Sequence, residues 1–397
     1  MHYLSDRVTR LEESATIAMA RLSRELTEQG HNIISLSLGE PDFITPKNIC
    51  DAAKRALDEG FTHYPPISGY RDLREAISKK FKRDNNLDFS YEQIVVSTGA
   101  KQSIANTVLC LVNPGDEVII PAPYWVSYSQ IIEMAGGIPV FVNTTVETEF
   151  KATAEQIKAA ITPKTKMLIY SSPCNPTGSM YSKEELKSIA EAVAPHKQIY
   201  VVSDEIYEHI AFEFKHESIA QFDILKDRVI VVNGVSKGFA MTGWRIGYIG
   251  APLEVAKACD KMQGQFTSGA SSIAQRASLE AIITDWKEYE YMKDSFLKRR
   301  DLVLGLLKDI PGLKYNKPHG AFYIFPDISS YFGKSDGSTT IQSATGLCMY
   351  LLKDAKVSMV TGEAFGDDQC VRLSYATSED KLTEALQRVK VSLAKLK

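Results

Sequence analysis

The chain has 397 residues, 44% of them hydrophobic, with 46 basic and 49 acidic side chains and a formal net charge of -3. That length buries a large core over two or three domains, and the near-balance of charge gives no bulk attraction to nucleic acid or to an anionic membrane. Six scattered cysteines without a CxxC pair, no leader-like core in MHYLSDRVTRLEESAT and no apolar run of membrane-spanning length predict a reduced, cytoplasmic protein with a small-molecule partner.

Residues 13 to 29 carry an amphipathic helical period that ends at Gly30. TPKNICDAAKRALDEG predicts a second helix, with Thr45 as N-cap, Pro46 at the first helical position and Gly60 past its end. From about residue 90, apolar runs alternate with helical stretches. The runs are QIVVS, DEVII, KMLIYSS, IYVVSDE and RVIVVN, and SKEELKSIAEAVA between them opens with a capping box of Ser182 and Glu185. β-Branched runs without polar alternation suit strands covered on both faces, so the expected fold class is α/β, a large domain with a mostly parallel sheet flanked by helices. After a helical region from about 252 to 308, the runs GAFYIFPDI, VSMVTG and CVRLSYA and a closing helix of about 379 to 396 predict a smaller α+β domain. The N-terminal helix is expected to pack there. The seven histidines show no metal-ligand spacing, and no metal is expected.

Ligands of open α/β sheets bind beyond the carboxyl ends of the strands. Those ends carry Ala100 and Lys101 after Gly99, Asn175, Asp204 with Tyr207 beyond it, and Ser236 and Lys237 followed by Arg245. Each has a plainer structural explanation: Asn175 opens a turn, Asp204 caps a helix, a loop lysine is a solvated charge. Repetition at four strand ends favours one shared ligand. Backbone N–H groups at a helix start, a hydroxyl and a guanidinium form a phosphate cradle. A desolvated lysine beside it forms an imine with an aldehyde, Asp204 pairs with a protonated ring nitrogen, and Trp125 offers a face for a flat heterocycle. Together these describe pyridoxal phosphate.

SLGEPDF, YPPISGYRDLREA, GAKQSI, PAPYW, SSPCNPTG, VSDEIY, SKGFAMTGWRIGY and VRLSYA, in that order, resemble the class I aminotransferases of fold type I, nearest the bacterial Ib aspartate aminotransferase branch. The resemblance runs from Thr16 to the C-terminus. It implies a seven-stranded-type sheet, a large domain over 46–295, and a small domain assembled from 1–45 and 296–397. It implies Lys237 as the imine-forming lysine, Asp204 at the ring nitrogen, Tyr207 and Asn175 at the ring phenolate, and Ala100, Lys101, Ser236 and Arg245 at the phosphate. Tyr64 matches a tyrosine lent by the partner subunit, which implies a homodimer with shared sites. Gly39, Asn175 and Arg372 match the binders of the substrate α-carboxylate; Lys101, Ser14 and Thr16 match those of a distal carboxylate. The implied reaction is amino transfer between aspartate or glutamate and a 2-oxo acid. Other chemistry on the same scaffold stays open at this point, including C–S lysis, decarboxylation, and alanine, aromatic or prephenate transamination. Some prephenate-using relatives carry a lysine where this chain has Glu12, a departure that weighs against that substrate without removing it. A DNA-binding regulator and a nicotinamide dehydrogenase are disfavoured, the former by the want of a DNA-binding extension and the latter by the want of GxGxxG after a strand.

Overall fold

The computed structural model describes residues 3–11 and 13–397. Its strands are β1 (Ile34–Ser35), β2 (Ile94–Ser97), β3 (Glu117–Ala122), β4 (Ile138–Asn143), β5 (Thr165–Ser171), β6 (Tyr200–Asp204), β7 (Val229–Gly234), β8 (Gly247–Gly250), β9 (Tyr323–Ile324), β10 (Val357–Ser358), β11 (Val360–Thr361) and β12 (Val371–Ser374). Seven of them form the central sheet, in the order β2-β8-β7-β6-β5-β3-β4. β8 is antiparallel to both neighbours and the remaining pairs are parallel. The carboxyl ends of β2, β3, β5, β6 and β7 therefore share one edge, and β8 starts from that edge.

The apolar runs lack alternation because each face of the sheet meets its own core. Val96, Leu168, Tyr170, Val201, Val229 and Val231 join one cluster, while Val95, Met167, Ile169, Val202, Ile230 and Val232 join another on the opposite face. A third cluster gathers Ile34 and Leu36 with Phe296, Phe322, Leu373 and Val389, and Met19 of the helix Ala15–Glu28 packs against it. Around it lie the parallel pair β1–β10 and the antiparallel set β11-β12-β9.

Ser182 and Glu185 make both bonds of the expected capping box, at 3.2 and 2.7 Å. Thr45 does not cap its helix. That helix spans Lys47–Asp58 with Pro46 at the N-cap, while the Thr45 hydroxyl donates to Ala240 O at 2.7 Å and accepts from Trp244 Nε1 at 2.9 Å. A long-range pair of bonds outcompetes the local cap. No helix among the described residues is long and apolar enough to cross a membrane.

Candidate active site

Strand order decides which of the predicted residues meet. β5, β6 and β7 are consecutive neighbours, so Asn175, Asp204 and the Ser236–Lys237 pair emerge side by side. Arg245 arrives from the other direction: it precedes the reversed strand β8 and thus stands at the same edge, with its own backbone in the left-handed region at φ 57°. The helix Ala100–Leu111 begins there after Gly99, whose φ is +83°. A Cβ on Gly247 would lie 2.1 Å from Ala100 N, so a bare glycine lets the helix start press onto β8. The first amides of that helix have no intrahelical partner and carry the positive end of its dipole.

These residues line one cavity of about 570 Å³, together with Ser14, Thr16, Gly39, Lys101, Trp125, Tyr207 and Arg372. Tyr64 stands outside it, 94% exposed. A cavity of about 670 Å³ elsewhere is lined by Glu147, Asp327, Glu363, Asp367 and Asp368 and by one lysine, Lys314. Size alone does not pick the site. Of these two, among the described residues, the cavity of about 570 Å³ joins a part-buried lysine, Lys237, to the buried Asp204 carboxyl and the buried Arg372 guanidinium.

Asp204, 4% exposed, closes β6. Burial raises its carboxyl to about 6, against hydrogen bonds from Tyr128 Oη at 2.7 Å and Ile206 N at 3.3 Å. A carboxyl so placed favours a cationic partner in the cavity. Lys237 Nζ donates to Gly39 O at 2.5 Å and lies 5.8 Å from the Tyr207 ring centroid. Burial lowers its amine to about 8; Glu40 opposes the shift, and Arg372 and Arg245 reinforce it. Close to neutrality, a useful fraction of this amine is uncharged and nucleophilic.

Arg372, 1% exposed, donates through Nη1 to Asn175 Oδ1 at 3.0 Å and through Nη2 to Ser37 O at 2.7 Å, with its guanidinium over Tyr323 at 4.6 Å. Its two terminal nitrogens carry four N–H groups, so donors remain for an anion. The Lys101 ammonium lies 5.0 Å from the Trp125 ring centroid; desolvation and then Arg245 lower its pKa, although the residue reaches the surface. Ser14 precedes the helix Ala15–Glu28 without a side-chain capping bond.

Two participants escaped the sequence reading. Tyr128, on the helix Ser127–Met134, holds Asp204, and Tyr323 of β9 shares a 2.8 Å hydroxyl contact with Tyr207. Tyr128 had a signal, standing one helical turn after Trp125. Tyr323, inside GAFYIF, reads like any buried strand aromatic. Among the described residues one group has metal-capable spacing, Glu205, Glu208 and His216. Its carboxylates already have protein partners, Ser203, Ser218 and His216 on Glu205 and Lys80 and Asn85 on Glu208.

The sequence model of the aminotransferase class I and II family matches residues 31–389. The chain belongs to that family. As a member, it is 45% identical over 399 residues to an aspartate/prephenate aminotransferase of Cereibacter sphaeroides, each chain covered in full. It is 46% identical to a bifunctional aspartate and glutamate/aspartate-prephenate aminotransferase of Petunia hybrida, over 99% of this chain and 83% of that one. Among solved structures, the aspartate aminotransferase of Rhizobium meliloti superposes with a TM-score of 0.96 at 40% identity over both whole chains. That of Thermus thermophilus with maleate gives 0.92 at 41% identity, covering 99% of this chain and all of the other. The α/β fold with a mostly parallel seven-stranded sheet is thus the family's own.

Proposed function

We propose that the protein is a pyridoxal-phosphate-dependent transaminase that moves an amino group between L-aspartate or L-glutamate and a 2-oxo acid, such as 2-oxoglutarate or oxaloacetate, by ping-pong chemistry. The observation that carries the reading is the part-buried Lys237 amine in one cavity with the buried Asp204 carboxyl and the Arg372 guanidinium. The cavity fits the cofactor. Asp204 suits a protonated ring nitrogen, Trp125 a ring face, Tyr207 and Asn175 a phenolate oxygen, and the Ala100–Lys101 amides with Ser236 and Arg245 a phosphate. When bound, pyridoxal phosphate supplies an aldehyde and an electron-withdrawing ring that accepts charge from the substrate Cα.

The chain's residues do the remaining work. Lys237 Nζ takes the proton from the substrate Cα, with a basicity that burial has brought near the working pH. Asp204, held by Tyr128, keeps a positive charge opposite it. Gly39, Asn175 and the free donors of Arg372 orient the α-carboxylate. Lys101, with Ser14 and Thr16, receives a second carboxylate at the cavity mouth. The maleate of the Thermus neighbour is a dicarboxylate, which supports the same class here. Prephenate stays open as an alternative substrate: relatives at 45% and 46% identity are named for it, while some prephenate-using relatives carry a lysine where this chain has Glu12, a position outside the described residues.

The reading includes a homodimer with shared sites and a small domain made of 1–45 and 296–397 on a large one of 46–295. Tyr64, Phe266 at 65% exposure and Ile67 supply apolar surface for a second copy, and Ile67 lies against the Gly264 backbone of Phe266's own helix. Six free thiols support a reducing, cytoplasmic setting. Borohydride reduction of the cofactor-loaded protein followed by peptide mapping tests the core assignment. The label is expected on Lys237; a label on another lysine, or none, overturns it.

A further inference from the structure

Gly238, next in sequence to Lys237, has no room for a side chain. A Cβ there would lie 2.9 Å from His209 Cδ2, 3.1 Å from its Cβ and 3.3 Å from its Cγ. The imidazole is itself clamped: it stacks on Trp286, with centroids 4.1 Å apart and planes 13° from parallel, and meets the Phe239 ring edge-on at 5.3 Å. Both residues that follow the lysine therefore bear on one ring.

That ring has little freedom to retreat. Its side chain is 14% exposed, and the preceding residue, Glu208, is ion-paired to the buried Lys80. Asn85 closes the triangle, donating to Glu208 Oε2 and accepting from Lys80 Nζ, each at 2.9 Å. Burial lowers the imidazole to about 4 against the pull of Glu208, so near neutral pH it is an uncharged plate. None of the chemistry assigned to Asp204, Tyr207 or Lys237 uses it.

We propose that His209 is a positioning residue for Lys237: its ring is the surface on which the Gly238–Phe239 segment rests, and it fixes where the lysine amine sits in the cavity. The role rests on the lysine–cofactor linkage proposed above. One short segment then serves both sides of the site. Asp204 and Tyr207 face the cavity, and His209 bears on Gly238, the residue next to the lysine that lines it.

The test uses the cofactor-loaded protein and a readout that needs no turnover, the pH titration of the visible absorbance of lysine-bound cofactor. His209→Ala is expected to shift the midpoint by about one pH unit, the size of a tenfold change in the equilibrium. It is also expected to lower kcat by about ten- to a hundredfold with KM for the amino acid little changed, the scale of a small misplacement of a reacting group. His209→Phe, which restores a flat ring between Trp286 and Gly238, should recover most of both. Gly238→Ala carries the same test without removing a packed ring: it should displace the midpoint in the native chain and do so less beside His209→Ala, which removes the ring atoms at 2.9 and 3.3 Å and keeps the Cβ at 3.1 Å. Additive effects of the two changes, or an unmoved midpoint in Gly238→Ala or in folded His209→Ala, overturn the proposal. A wild-type protein that forms no lysine-bound chromophore overturns the cofactor reading itself, and the role of His209 with it.

Discussion

Lys237 and Lys101 share a cavity, yet their surroundings ask different things of them. The Lys237 amine is part-buried on the cavity wall, and desolvation favours its neutral form. In the cofactor-free protein its folded pKa of about 8 lies below the ordinary 10.5, so between those values the unfolded chain binds the extra proton and stability rises with pH. Relative to Lys237→Met, wild-type stability should climb over this window by about 2 kcal/mol, discounted for an amine that opens on the cavity. Thermal unfolding at fixed ionic strength checks it, and a pH-independent difference contradicts it. Lys101 bears on substrate choice. A charge-assisted bond to a distal carboxylate contributes about 1.5 to 3 kcal/mol and does so only for dicarboxylic substrates. Lys101→Ala should therefore cut kcat/KM for aspartate and glutamate by about ten- to a hundredfold while alanine changes little. A uniform loss over all amino acids would assign Lys101 to the phosphate instead.

At the level of elements, legibility followed burial. QIVVS, DEVII, KMLIYSS, IYVVSDE and RVIVVN were readable as strands because both faces of each meet a core, and β-branched runs then persist without polar interruptions. Two strands of the central sheet escaped, β4 and β8, and neither carries such a run. β4 is a half-exposed edge strand with Pro139 inside it. β8 is the four-residue GYIG, whose glycines admit Ala100 and Phe89 closely and leave almost no strand propensity to read. Its reversal was equally invisible, since orientation follows from pairing and not from composition. The residues that line the candidate cavity were legible because polar residues interrupt apolar runs where the strands end. Tyr128 and Tyr323 were hidden because a buried tyrosine with a hydrogen-bond partner looks, in sequence, like a buried tyrosine that only packs.

For the molecule as a whole, the proposed homodimer would cover the exposed Tyr64 and the apolar surface beside it. Mixing an inactive Lys237→Ala chain with a chain inactivated at Tyr64 should then restore activity in heterodimers, because one of the two sites draws both intact residues. Verified heterodimers without recovery would contradict shared sites. Amino transfer through Lys237 is tested by a single half-reaction. L-Aspartate added to cofactor-loaded protein, with no 2-oxo acid present, should convert the chromophore to the amine form of the cofactor and release one oxaloacetate per site. An unchanged spectrum, or release of carbon dioxide with the cofactor left in its aldehyde form, would contradict it.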